Sequence, residues 1–261
     1  MTPLSSIDPS IQVPRFNVLG VGVSALAFGQ ACNLLLSAKG RAKIGYVCVC
    51  TVHGVSEARA DPAFRKILND SFLTTPDGMP LVWLGPPGTE RVYGPDLLLS
   101  VCDLGRLHGL AHYFYGGAPD VAPRLAGKLA ARFPGLNVAG TFTPPFRELT
   151  ASEFARFQAD VSQKKPDIIW VGLSTPKQER FMAAHAALLD AGLLVGVGAA
   201  FDFHSGRMRQ APRWIQRSGF EWLFRLAMEP RRLAPRYFKT NPLFLLRIAA
   251  QVTGLKRYPL G

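Results

Sequence analysis

Between residues 16 and 197 short apolar runs, rich in β-branched and aromatic side chains, alternate with stretches of helical periodicity. No other feature restricts the fold as much. Short apolar runs pack as strands, whereas longer stretches with a 3.6-residue period pack as helices. Strands are expected at 16–23, 43–51, 72–75, 112–115, 136–140, 167–171 and 193–197. Helices are expected at 25–38, 61–69, 95–107, 121–133, 151–164 and 176–189, with Asp61 as an N-cap before Pro62. Such an order gives an α/β fold, a mostly parallel sheet with helices on both faces. Ligands bind beyond the carboxyl ends of the strands in such sheets. That rim gathers Thr51, Asp77, Gly172 to Lys177 and Gly198 to Asp202.

After residue 205 the pattern becomes helical only, with candidates at 213–218, 220–228 and 242–252. The charge is concentrated there too. Residues 203–261 carry twelve Lys/Arg against two acids, Glu221 and Glu229, so nearly all of the net +12 lies in the last quarter. Basic tails bind phosphates, nucleic acid or anionic lipid. The expected organisation is a core over 1–204 and a basic helical appendage over 205–261. The apolar segment 243–252 is too short to span a bilayer, though it can lie in an interface or pack on the body. No secretory signal is read at the polar N-terminus. Cys32, Cys48, Cys50 and Cys102 form no C-x-x-C pair and have apolar neighbours, as reduced buried thiols of a cytoplasmic protein do.

The densest motif is Val171-Gly-Leu-Ser-Thr-Pro-Lys-Gln-Glu179. Gly172, Ser174 and Thr175 at a strand-to-helix turn expose N–H groups beside a helix start, where anions bind, and Lys177 and Gln178 follow on the first turn. The plainer reading is a capping box, T-x-x-Q, with Thr175 as N-cap and Gln178 at the third helical position. The spacing is not that of a P-loop. Asp77 lies in a Pro-Asp-Gly turn at a strand end, as a functional carboxylate or as a turn residue. Asp96 opens a helix, where it can simply favour the dipole. Gly198 and Asp202 close the last strand, Asp202 as a rim carboxylate or a cap. His53 and His204 also fall on the rim, without metal-ligand spacing. Arg225, Arg232 and Arg236 are spaced to share a helical face, if Pro230 and Pro235 allow it, and guanidinium groups clamp phosphate oxygens. Their plainer reading is a solvated face partly paired with Glu221 and Glu229. Gly20-x-Gly22-x-x-Ala25 is similar to a dinucleotide fingerprint but lacks the ribose-binding acid about twenty residues on.

Five segments, in order, resemble the WecG/TagA/CpsF glycosyltransferases: Thr74-Thr-Pro-Asp77-Gly-Met-Pro, Val92-Tyr-Gly-Pro-Asp96-Leu, Phe114-Tyr-Gly-Gly117, Val171 to Glu179, and Glu221-Trp-Leu-Phe-Arg to Arg232. The resemblance runs from about residue 16 to residue 238. It implies a Rossmann-like core and an inverting enzyme without cofactor or metal. Such an enzyme moves a hexose or N-acetylhexosamine-type sugar from a UDP-sugar to a polyprenyl-diphosphate-linked sugar, in exopolysaccharide or cell-surface polysaccharide synthesis. It implies Asp77 as general base, Thr51 and Gln178 as catalytic partners, and phosphate contacts near Arg225 to Arg236. It also implies a cytoplasmic protein peripheral on the inner membrane face, a homodimer being compatible, with no nucleic-acid partner. One departure is His53, where many members carry asparagine in T-x-N. The competing readings are a nucleotide-cofactor, NAD(P)-type oxidoreductase built on Gly20 and Gly22, and a non-enzymatic basic module for membrane or nucleic acid.

Overall fold

The computed structural model describes residues 13–41 and 43–260, apart from the side chains of Arg232 and Arg236. The chain opens with an antiparallel hairpin, β1 (Arg15–Val18) and β2 (Val21–Ser24), followed by α1 (Phe28–Leu36), β3 (Gly45–Cys50), α2 (Val52–Ala60), α3 (Pro62–Asp70), β4 (Leu73–Pro76), α4 (Met79–Leu84) and α5 (Gly94–Arg106). Next come β5 (Ala111–Gly116), α6 (Val121–Arg132), β6 (Asn137–Phe142), α7 (Ala151–Lys164), β7 (Ile168–Gly172), α8 (Lys177–His185), β8 (Leu193–Gly196) and α9 (Ala200–Ser205). The C-terminal quarter is helical, with α10 (Arg213–Ser218), α11 (Glu221–Met228) and α12 (Pro230–Val252).

Strands β3 to β8 form one six-stranded sheet in the order β4-β3-β8-β7-β5-β6, and every pairing is parallel. Alternate side chains of each strand face opposite ways. Val47, Phe114, Ile168, Trp170 and Val195 meet α1, α5 and α6 on one face. Cys48, Tyr113, Ile169, Val171 and Leu194 meet the hairpin and helices α2, α3, α7 and α8 on the other. Strand β5 is buried along its whole length, which explains its continuous apolar run. Each Leu or Phe fully buried here contributes roughly 1.5–3 kcal/mol. All four cysteines are buried and unbridged.

Two expectations need correction. The run 16–23 is a hairpin and not one strand. Leu19 and Gly20 turn it at positive φ, 52° and 90°, and Asn17 Oδ1 receives the Gly20 N–H at 2.8 Å. Gly20-x-Gly22 is therefore not the strand-to-helix turn a dinucleotide site requires, because Gly20 sits in the hairpin turn and Gly22 lies inside β2. This removes the structural basis of the oxidoreductase reading. The last helix is also longer than the expected 242–252, running through Pro235 and Pro242 as one 23-residue element. Among the described residues no helix is long and apolar enough to cross a membrane.

Candidate active site

The strand order sets β4, β3, β8 and β7 side by side, so their carboxyl ends share one rim. A cavity of about 420 Å³ opens there. Thr51, Asp77, Gly172, Ser174, Thr175, Gln178, Gly198 and Asp202 line it from the core, and Trp222, Arg225, Leu233, Tyr237, Asn241 and Phe244 wall it from the C-terminal helices. Thr51 occupies the N-cap position of α2, yet its side chain makes no capping bond, which leaves the hydroxyl to the cavity. Two glycines shape the rim. A Cβ on Gly172 would clash with the Phe201 ring, and Gly198 turns at φ 49° after β8. The N-termini of α2 and α8 both point to this rim, adding partial positive charge.

Asp77 is held in the cavity through both its backbone and its side chain. It follows β4, and its N–H donates to the Cys50 carbonyl at 2.8 Å, which fixes the turn beside β3. Arg91 holds the side chain, donating from Nη2 to Asp77 Oδ1 at 3.1 Å and from Nε to the Asp77 carbonyl. The same Nη2 donates to Glu221 Oε2 at 2.6 Å, and Tyr93 OH donates to Glu221 Oε1 at 2.8 Å. Burial raises the Asp77 carboxyl to about 6; Arg91 opposes that rise and Glu221 adds to it. At neutral pH the carboxylate is therefore ionised but still a competent proton acceptor.

The segment from Val171 to Glu179 does not form the expected capping box. Pro176 is the N-cap and α8 starts at Lys177. The Ser174 carbonyl accepts from Lys177 N at 2.7 Å and Gln178 N at 3.2 Å, so these two amides are already satisfied inside the turn. They are not available to an anion, and Thr175 has no orphan N–H to cap. Its hydroxyl donates instead to Glu179 Oε1 at 2.8 Å, on a buried carboxyl that desolvation raises above the ordinary value. Gln178 Nε2 donates to the same oxygen at 3.0 Å. Gln178 Oε1 is buried and has no hydrogen-bond partner.

The other expected residues divide. Arg225 lines the cavity, and its Nε is buried without a hydrogen-bond partner. Arg225 lies on α11 but Arg232 and Arg236 on α12, so the three do not share one helix; the side chains of Arg232 and Arg236 lie outside the described residues. Asp202 faces the cavity 3.6 Å from Arg207 Nη1. His53 also lines it, with Nδ1 3.6 Å from Glu57 Oε1. Lys177 is exposed and outside the cavity lining. Asp96 is also outside it, in a neighbouring groove 3.7 Å from Arg213. His204 bonds the Pro95 carbonyl at 2.9 Å and likewise does not line the cavity. Among the described residues no group of three or more His, Cys, Asp and Glu gathers as a metal-ligand set.

Three residues that the sequence did not single out complete the site: Arg91, Tyr93 and, in the role it takes, Glu221. Arg91 directly precedes the Val92-Tyr-Gly-Pro motif, and Tyr93 lies within it, which was the available signal. Glu221 heads the fifth family-like segment but stood out only as a counter-charge for the basic tail, whereas it pairs with Arg91.

A parallel α/β sheet with a carboxylate and guanidinium groups in a rim cavity defines a Rossmann-like glycosyltransferase when joined to the following likenesses. The Glycosyl transferase WecG/TagA/CpsF family matches residues 16–258, and the chain belongs to that family. It is similar to an N-acetylglucosaminyldiphosphoundecaprenol N-acetyl-beta-D-mannosaminyltransferase of Bacillus spizizenii, 29% identical over 184 residues, covering 67% of this chain and 68% of the relative. A Bacillus subtilis protein of the same description is 27% identical over 179 residues, covering 66% and 67%.

Proposed function

We propose that this protein is an inverting glycosyltransferase that moves an N-acetylhexosamine-type sugar or a hexose from a UDP-sugar to a polyprenyl-diphosphate-linked sugar at the inner face of the cytoplasmic membrane. The product serves cell-surface polysaccharide or exopolysaccharide synthesis. The relatives' names point to N-acetylmannosamine as the sugar moved and to a diphosphoundecaprenol-linked N-acetylglucosamine as the acceptor. The observation that carries the reading is the pairing, in one cavity, of a carboxylate raised to about 6 with an arginine whose Nε is buried and unsatisfied. The first suits a general base and the second suits a diphosphate.

In this reading Asp77 takes the proton of the acceptor hydroxyl. The freed oxygen attacks the anomeric carbon, the carbon–oxygen bond to UDP breaks on the opposite face, and the diphosphate leaves with the electron pair. Arg225, with Arg232 and Arg236, meets the charge that develops on the diphosphate. Thr51 and Gln178 position the reacting sugars, and Gly172, Ser174, Thr175, Gly198 and Asp202 form the donor wall. The appendage, residues 205–261, holds the enzyme to the membrane and closes the cavity.

The test is turnover with a panel of UDP-sugars, UDP-N-acetylmannosamine included, and a short-chain polyprenyl-diphospho-N-acetylglucosamine. Asp77→Asn is expected to lose about 10²–10⁴-fold in kcat while still binding UDP. Wild-type turnover by that variant would refute the base assignment. Silence across the whole panel, with no UDP binding, would refute the donor class.

A further inference from the structure

A continuous set of charge-assisted contacts runs from the C-terminal helices to Asp77. Glu221, the first residue of α11, has both carboxylate oxygens engaged, Oε2 by Arg91 and Oε1 by Tyr93. Arg91 lies over the Tyr93 ring, 4.1 Å from its centroid, and donates from Nη1 to the Gln216 carbonyl of α10 at 2.9 Å. One guanidinium thus ties the end of β4 to α10 and α11 at once. The side chains of Asp77, Arg91 and Glu221 are 15%, 17% and 13% exposed, so solvent screens these charges little. A surface staple between two segments needs none of this convergence on a cavity carboxylate.

We propose that Glu221 is a positioning residue for the transfer reaction: by taking one side of the Arg91 guanidinium it fixes how Arg91 meets Asp77, and so couples the seating of α10 and α11 to the proton-accepting state of Asp77. The proposal rests on the reading of Asp77 as the general base. With Glu221 seated, Arg91 is shared between two carboxylates and neutralises Asp77 only in part. With Glu221 withdrawn, Arg91 pairs with Asp77 alone. The carboxylate then holds a proton less well and is a poorer base. The other groups facing Asp77 are Arg225 from α11, which favours the ionised form, and the Cys50 thiol and Tyr93 hydroxyl, both raised by burial. His53 lines the same cavity from α2.

The full-length protein allows a test that does not depend on turnover. The Asp77 carboxyl is followed against pH by carbon-13 NMR, assigned by its loss in Asp77→Asn. In Glu221→Gln, which keeps the size and hydrogen-bonding ends of the side chain, the midpoint is expected to fall by about one pH unit. The acid limb of kcat should move with it. Glu221→Ala should lower kcat by about tenfold or more with the KM for the UDP-sugar within about threefold, and Glu221→Gln should recover part of that loss. An unmoved midpoint in Glu221→Gln, alongside an inactive Asp77→Asn, overturns the coupling alone. Wild-type turnover in Asp77→Asn overturns the base reading and this proposal with it. A loss in Glu221→Ala carried entirely by KM assigns Glu221 to donor binding and also overturns it.

Discussion

Gln178 has an acceptor left open. One Nε2 hydrogen is used by Glu179, and Oε1 is buried without a partner. A ligand that satisfies it must donate, as a sugar hydroxyl or an acetamido N–H does. Gln178→Ala is expected to cost about 10–100-fold in kcat/KM, the weight of one buried hydrogen bond of about 1–3 kcal/mol. A loss below threefold with every donor in the panel would remove Gln178 from the site. Asp77 makes a second prediction at this scale. Its carboxyl binds a proton more tightly folded than unfolded, since burial raises it from the ordinary value to about 6. The stability this group contributes is full below the unfolded value near 4 and is lost as pH rises through about 6. Thermal unfolding of the wild type should show a fall in midpoint over that window, and Asp77→Asn should show a smaller one. Equal slopes in the two proteins would count against the raised value.

Elements with their own start chemistry, and helices with a long apolar period such as α6, were legible in the sequence. Helix α7 runs over 151–164 as expected, because Thr150 caps it and Glu153 returns the bond to Thr150 N at 2.8 Å. Helix α3 is likewise marked by Asp61, which accepts from Ala63 N and Phe64 N. Helix α2 was missed because it follows β3 with only Thr51 between and carries His53-Gly54 in its first turn, a weak helical signal. The hairpin was missed because apolar residues continue through its turn, so no polar break marks it. In the site, Asp77 and Thr51 sit at strand ends, where position alone is informative, and Gln178 lies on the first turn of the helix after β7. Arg91 pairs across fourteen residues with Asp77 and across 130 with Glu221, distances that no local spacing encodes. Prolines at 235 and 242 hid the length of α12. That helix is held by Phe244, 4% exposed within the core face that also carries Val55 and Tyr258. Gln251 pins its end, donating to the Asn17 carbonyl and accepting from Leu19 N, both at 2.8 Å. Phe244→Ala should therefore lower unfolding stability by about 3–5 kcal/mol, read by urea titration. A change under about 1 kcal/mol would mean that α12 is not docked as described.

On the scale of the whole molecule, charge and apolar exposure coincide. The C-terminal quarter that carries twelve Lys/Arg also carries exposed Trp214, Phe220, Phe238, Leu246 and Leu255, the last 85% exposed. Arginine side chains beside exposed aromatics suit the headgroup region of an anionic bilayer, where the apolar groups reach the acyl boundary and the cations meet phosphate. The same helices wall the cavity, with Trp222, Leu233, Tyr237 and Phe244 on its inner side. A lipid-linked acceptor held at the membrane would thus lie beside the chemistry. Full-length protein should sediment with vesicles containing anionic lipid and much less with neutral ones. Binding should weaken between about 50 and about 300 mM salt, because basic residues supply the attraction and salt screens it. Phe238→Glu with Leu246→Glu should cut vesicle binding by about tenfold or more, since two exposed apolar groups become charges that the bilayer repels. The unfolding midpoint and UDP affinity should stay near wild type, because both side chains point away from the core. If the double variant binds anionic vesicles as the wild type does, or if salt leaves wild-type binding unchanged, this surface does not meet the membrane.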